Sequence, residues 1–286
     1  MEKYIIENVD SFEPAHIFKC GQAFRWNEEE DSSFTNVAFN RVINVKKEKN
    51  NIILSNVNEE DFNNIWKDYF DLNRDYNKMK EVLSKDEILK TCIDYGEGIR
   101  ILNQSNFETI ITFIISANNQ IPRIKKSVEL ISEMYGDLIE QINGKKYYAF
   151  PSPEQLSRAK VEDLREFAKV GFRDKRIVES AIMINNNEID FDICFNGDLE
   201  DARNELMKLP GVGPKVADCC LLFSFKRSES FPVDVWIKRV MEELYFHKET
   251  NKNQIANEGR KLFKEYAGIA QQYLFFYGRE NKLGSK

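Results

Sequence analysis

A chain of 286 residues with 42% hydrophobic content can bury a substantial core in two or three subdomains, which excludes a disordered tail. It has no apolar run of transmembrane length and no basic-apolar leader, so a soluble cytoplasmic protein with no membrane partner is expected. The net charge of −6 disfavours a uniformly basic surface, yet basic residues cluster in 123–126 and 173–176 while acids gather in 27–31 and 58–61, which leaves room for a local basic groove.

Residues 1–57 read as β-rich. Segments 36–45 and 51–57 are rich in Val, Ile and Phe, with polar 46–50 as the hairpin loop between them, so an antiparallel sheet is predicted. The run CGQAFRW, 20–26, sets a glycine ahead of two aromatics and an arginine, and spacing alone makes it a strand with a bulge. From Asn58 the periodicity turns helical through Phe62, Ile65, Trp66 and Tyr69, where Trp66 and Tyr69 are expected to pack in the core. Gly96 and Gly98 break this pattern and place a domain boundary at 98/99. Beyond it, Ser105-x-x-Glu108 is a predicted capping box for an apolar helix over 107–115. Segment 116–124, SANNQIPRI, ends that helix and restarts with Pro122. Helices are predicted over 124–135, 153–159 and 161–170, the last stopped by Gly171 with Phe172 and Arg173 just beyond. Five cysteines are an odd number without iron–sulfur spacing and read as free thiols; two histidines are too few for most zinc sites, which argues against a metal hydrolase.

The most informative stretch is 209–235, LPGVGPKVADCCLLFSFKRSESFPVDV. A helix over 199–208 must stop at Pro210-Gly211, and Pro214 suits the first position of the next. Gly211 and Gly213 let the turn between them close tightly and offer bare amides to an anion such as a phosphate. Lys215 falls in the first turn of the second helix, where the dipole disfavours an ammonium and favours the nucleophilic amine. Asp234 is placed as the N-cap of a helix over 235–246. Taken singly, the lysine reads as a solvated charge and the aspartate as an ordinary cap. Together with the glycine turn, they supply an amine and a carboxylate held ionised by helix amides, which is what breaking an N-glycosidic bond through a covalent intermediate needs.

With LPGVGPKVAD as the hairpin and PVDV carrying the aspartate, the chain resembles the helix-hairpin-helix DNA glycosylases, and within them the bifunctional 8-oxoguanine DNA glycosylases. The resemblance implies that Lys215 attacks the sugar's anomeric carbon and that Asp234 assists. It implies that the Gly21 carbonyl reads the lesion, that Cys219 and Phe275 wall the base pocket, and that Gln271 hydrogen-bonds the base edge. By the same resemblance Asn118 fills the space left by the flipped nucleotide, and Arg123 and Arg173 contact the orphaned opposite base. Phe172 would wedge into the stack where the family usually has tyrosine. Gly211 and Gly213 would contact phosphate, and the carbonyls of Met207, Leu209 and Val212 would hold a monovalent cation, with no cofactor required. Trp236 stands where a histidine is usual, and the four-cysteine cluster of some relatives is missing, since no cysteine follows Cys220.

The expected fold class is α+β: an N-terminal antiparallel β-sheet domain with helices, 1–98, followed by a mainly helical helix-hairpin-helix region, 99–286. The implied partner is duplex DNA containing 8-oxoguanine, preferably opposite cytosine, bound by a monomer that works at the nucleoid if the source is prokaryotic. Two other readings stay open at this point. A glycosylase for alkylated bases would share the hairpin and aspartate but would have no need of Lys215, and a non-catalytic hairpin module would not need Lys215, Asp234 and Phe275 together.

Overall fold

The computed structural model describes residues 2–284. Its N-terminal part is a five-stranded antiparallel sheet of β1 (Lys3–Ile6), β2 (Asn27–Glu28), β3 (Phe34–Ala38), β4 (Arg41–Glu48) and β5 (Asn51–Ser55), in the order β1-β5-β4-β3-β2. The single strand expected over 36–45 is two strands. Phe39 and Asn40, at φ +49° and +56°, make a two-residue turn between the paired residues Ala38 and Arg41. Such turns normally announce themselves with Asn-Gly or Asp-Gly, and a phenylalanine in the first position hides the signal. The loop placed at 46–50 shrinks to Lys49 and Asn50, because Glu48 pairs with Asn51.

Alternating side chains of β4 and β5, with Phe12, Phe18, Trp26, Trp66, Tyr69 and Phe70, form a core against one face of this sheet. Trp66 and Tyr69 are buried there as expected, and the Tyr69 hydroxyl accepts from the Trp26 indole at 3.0 Å.

Segment 20–26 is not a strand. It leaves the short helix Pro14–Lys19 as irregular backbone, with Gly21 at φ +80°. The buried Gln22 side chain replaces the ladder, donating to the carbonyls of Ile17 and Arg100 at 3.0 and 2.7 Å and accepting from the Leu102 amide at 2.9 Å. Arg25 crosses to the helical part, where it pairs with Glu129 at 3.0 Å and donates to the Tyr148 carbonyl at 2.8 Å. These bonds fix Gly21 in place from both sides.

The larger core is helical and takes in Cys20, Phe24 and the helices Tyr76–Leu83 and Glu87–Tyr95 together with most of the buried apolar residues beyond Ile99. At its centre the apolar helix Asn106–Ser116 packs on Pro214–Ser224, with Phe113 stacked on Phe223 at 5.6 Å. The capping box predicted for that helix does not form. Ser105 is the N-cap by backbone geometry alone, and Glu108 instead lines the seam beside Arg25. Burial pushes its carboxyl up to about 7, against the pull of the Arg25 charge. The predicted helix at 153 is Pro153–Ser157, with a true capping box between Ser152 and Gln155. All five cysteines are buried free thiols.

Candidate active site

The helix Leu199–Met207 and the helix Pro214–Ser224 are joined by a tight turn in which the Val212 amide donates to the Leu209 carbonyl at 3.1 Å. Gly211 sits at φ +89°, where any L side chain would be strained, and a Cβ there would meet the Arg176 side chain at 3.0 Å. Gly213 is different. A Cβ added to it meets nothing within 4 Å, so the surface over this amide is open to a ligand. Proline at the first helical position then delivers Lys215 into the first turn, as its place in the sequence required.

The Lys215 Nζ lies 5.0 Å from the centroid of the Phe113 ring. One turn on, Cys219 is buried, and burial raises its thiol to about 11 with the Lys215 charge working in the opposite direction. Asp234 is the N-cap of the helix Val235–Met241, and its carboxylate accepts from the Ile237 amide at 2.8 Å. Lys215 and Asp234 both stand on the boundary between two hollows. The outer is a groove of about 600 Å³ that includes Asn118, Gly211, Gly213, Trp236 and Lys252. The inner is a pocket of about 50 Å³ lined by Gly21, Cys219, Gln271, Gln272 and Phe275 among others.

A volume of about 50 Å³ is smaller than a purine, and Phe275 is one wall of it. A Cβ on Gly21 would lie 3.2 Å from the edge of that ring, so the ring packs close over the glycine. The site therefore has an amine and a carboxylate at the mouth of a small pocket of mixed polar and apolar lining, next to the glycine hairpin.

Of the second group of expected residues, Asn118 lines the outer groove. Asn118 is exposed, with φ +51°, just past the end of the helix Asn106–Ser116. Arg123 is exposed in the first turn of the helix Ile121–Tyr135. Phe172 projects from the turn after Gly171 and is 59% exposed. Arg173 is placed differently from Arg123. It is only 6% exposed, and its guanidinium donates to the backbone carbonyls of Ala117, Asn118 and Val170. Among the described residues no group of three or more His, Cys, Asp or Glu could hold a metal ion.

Two family models divide the chain between them. Residues 4–110 match the N-terminal domain of 8-oxoguanine DNA glycosylase, and residues 111–265 match the HhH-GPD superfamily of base excision DNA repair proteins. The chain belongs to that superfamily, as an 8-oxoguanine glycosylase/lyase. It is 35% identical over 234 residues to a probable N-glycosylase/DNA lyase of Methanothermobacter thermautotrophicus, covering 75% of this chain and 74% of that one. An N-glycosylase/DNA lyase of Saccharomyces cerevisiae is 39% identical over 170 residues, 56% of this chain and 45% of that one. Among solved structures, the 8-oxoguanine glycosylase/lyase of Clostridium acetobutylicum, in complex with double-stranded DNA containing cytosine opposite 8-oxoguanine, superimposes with a TM-score of 0.95. It shares 43% identity and covers 99% of this chain and 98% of that one.

Two further residues of this glycosylase/lyase, Lys252 and Gln272, escape the sequence, and a third, Arg176, is legible there only as part of the basic cluster 173–176. Lys252 enters the outer groove at the start of the helix Lys252–Phe263, and an Asn-Lys pair before a helical pattern gave no hint of where that helix points. Arg176 lies against Gly211, with its guanidinium 5.5 Å from the Phe172 ring. Gln272 lines the inner pocket beside Gln271, although its position in the sequence marks it only as one residue of an amphipathic helix.

Proposed function

We propose that this enzyme flips 8-oxoguanine out of duplex DNA into the pocket between Gly21 and Phe275, releases it by attack of Lys215, and then cleaves the strand at the resulting abasic sugar. The observation that carries this reading is the placement of Lys215 and Asp234 together at the mouth of the same pocket that Gly21, Cys219, Gln271 and Phe275 line. An extrahelical nucleotide whose base enters the pocket has its sugar outside, at the level of the lysine, so the attacking nitrogen and the anomeric carbon meet without either strand being distorted further.

In that arrangement the neutral Lys215 amine forms a bond to C1′ as the bond to the base breaks, and the electron pair leaves with the base. The carboxylate of Asp234, which accepts from the Ile237 amide, stabilises the positive charge that develops on the sugar. Ring opening gives a protonated Schiff base. Loss of a C2′ proton then expels the 3′ phosphate by β-elimination, and water returns the lysine.

The outer groove is read as the path of the DNA backbone. Hairpin amides at Gly211 and Gly213 meet a phosphate, Asn118 and Phe172 occupy the gap in the stack, and Arg123 meets the opposite base, for which cytosine is the expected partner. The Leu209 carbonyl, having accepted one turn bond, keeps a lone pair that could join those of Met207 and Val212 around a monovalent cation supporting the turn. A site built within one chain is compatible with the expected monomer.

Borohydride trapping on a duplex with one 8-oxoguanine opposite cytosine tests the reading. A covalent protein–DNA adduct is expected, and Lys215→Gln should abolish it while leaving lesion binding nearly intact. An undiminished adduct in that variant would remove Lys215 from the chemistry.

A further inference from the structure

Gln272 follows the residue assigned to the base edge, yet faces the same pocket. On the helix Ala267–Glu280, Gln271 and Phe275 lie one turn apart on one face, and an adjacent position would ordinarily diverge by about 100°. Here Gln272 is only 3% exposed, lines the inner pocket, and donates from Nε2 to the Gln271 Oε1 at 2.8 Å. Its own Oε1 is buried and has no hydrogen-bond partner among the described residues. A buried amide oxygen without a donor is unfavourable, and here it belongs to a residue that lines the base pocket.

The two carboxamides together have definite vacancies. Gln272 Oε1 is an acceptor with nothing to accept, Gln271 Oε1 has one lone pair left after taking the Gln272 proton, and Gln271 Nε2 is a free donor. Two acceptors and a donor are the complement of the pairing edge of a guanine-type base, which offers its 2-amino group and N1–H as donors and its 6-carbonyl as acceptor. An adenine-type edge brings no 2-amino donor and would leave the Gln272 oxygen orphaned.

We propose that Gln272 is a second specificity determinant of the base pocket: its Oε1 accepts from the 2-amino group of the flipped 8-oxoguanine, while its Nε2 fixes the Gln271 carboxamide. The inference rests on the reading of this pocket as the site of 8-oxoguanine excision. It adds a contact at the far end of the base from the position that oxidation alters, so it selects guanine-type bases, and the oxidised from the normal one is selected elsewhere.

The test compares three duplexes under single-turnover conditions, each opposite cytosine: 8-oxoguanine, 8-oxohypoxanthine, which lacks only the 2-amino group, and a preformed abasic site, which has no base. The wild type should excise 8-oxohypoxanthine about tenfold more slowly than 8-oxoguanine, the effect of one buried acceptor left unpaired. Gln272→Leu and the unbranched Gln272→Met should each slow 8-oxoguanine excision about tenfold, change 8-oxohypoxanthine little, and leave abasic-site cleavage at the wild-type rate. Equal losses on both bases would mean that Gln272 acts only through pocket shape, and would overturn the assignment. So would an unchanged 8-oxoguanine rate, or a loss in both variants that extends to the abasic site. A wild type that cleaves abasic sites but releases no 8-oxoguanine would instead defeat the functional reading on which the assignment rests.

Discussion

Arg173 donates to the backbone carbonyl of Asn118 at 3.2 Å, so the buried guanidinium holds the loop whose side chain enters the outer groove. It also donates to the carbonyls of Ala117 and Val170, and three carbonyls would lose their donor in Arg173→Ala. Each such bond to a charged donor contributes about 1.5–3 kcal/mol. The expected result is a melting temperature lower by several degrees and excision slowed about tenfold against every opposite base, because Asn118 is no longer positioned. Arg123→Ala should behave differently, leaving stability alone and reducing the preference for cytosine. Single-turnover rates against all four opposite bases, with thermal unfolding of each variant, separate the two roles. A stable Arg173→Ala protein that had lost only its cytosine preference would place Arg173 on the base after all.

Phe172 and Arg176 lie beside the hairpin glycine Gly211, through the Arg176 side chain. The Phe172 ring carries the Arg173 guanidinium at 4.3 Å on one side and that of Arg176 at 5.5 Å, and Arg176 has no acidic partner within ion-pair distance among the described residues. Phe172→Ala should leave the fold within about 0.5 kcal/mol of wild type, since the ring is mostly in solvent, and slow excision about tenfold through the lost stacking. Arg176→Ala should weaken binding to lesion and undamaged duplexes alike and flatten the dependence of log affinity on log salt by about 0.9, the signature of one phosphate contact. Titrations of the Lys215→Gln protein at several salt concentrations read this directly. A change confined to lesion DNA would contradict it.

Glu108 gives the enzyme a stability term that depends on pH. Burial raises its carboxyl from the ordinary 4.5 to about 7, with Arg25 opposing and Glu129 reinforcing the shift. The native state therefore binds this proton more tightly than the unfolded chain does. Its contribution is fully present below about pH 4.5 and is lost as pH rises through about 7. Glu108→Gln, which resembles the protonated acid, should match the wild type near pH 5 and melt a few degrees higher near pH 8. A difference that stays constant between these pH values would show that the carboxyl is ionised in the fold throughout.

The hairpin was readable because its residues are constrained by backbone chemistry. Pro210 cannot continue a helix, Gly211 takes φ +89°, Pro214 opens the next helix, and Asp234 caps another. Trp66 and Tyr69 were legible from periodicity alone. Where side chains replaced backbone rules, the reading failed. Segment 20–26 has the composition of a strand, but the Gln22 carboxamide takes the bonds that a partner strand would supply. Ser105 and Glu108 have capping-box spacing, but the carboxyl is buried in the seam near Arg25 instead. The small hairpin of Leu138–Ile142 and Lys145–Tyr148 is absent from the predicted elements although its Asn143-Gly144 turn, at φ +51° and +84°, is a strong local signal. Gln272 was invisible for a deeper reason: an orphaned oxygen exists only once the helix has been packed.

Gly21 joins the last helix to the base pocket, and its substitution should separate base removal from strand cleavage. It lies at φ +80°, where an L residue costs about 1–2 kcal/mol, and a Cβ would stand 3.2 Å from the Phe275 ring and 3.7 Å from the Arg279 guanidinium. The ring has little freedom to retreat. Arg279 lies over it at 5.4 Å and is itself anchored by donating to the Lys19 carbonyl at 2.6 Å. In Gly21→Ala the methyl group therefore occupies the edge of the pocket, and it displaces the Gly21 carbonyl, which we propose meets the N7–H that oxidation creates. Guanine presents a lone pair there instead, so this carbonyl is the natural point of discrimination. The variant should melt a few degrees lower, excise 8-oxoguanine at least about tenfold more slowly, and bind 8-oxoguanine and guanine duplexes more nearly alike when Lys215→Gln is added. Cleavage of a preformed abasic site should be spared, because Lys215 and Asp234 act on a sugar that carries no base to admit. Loss of both activities in a protein that still melts cooperatively would mean that Gly21 supports the lysine rather than the base, and a wild-type excision rate would mean that its carbonyl does not face the lesion at all.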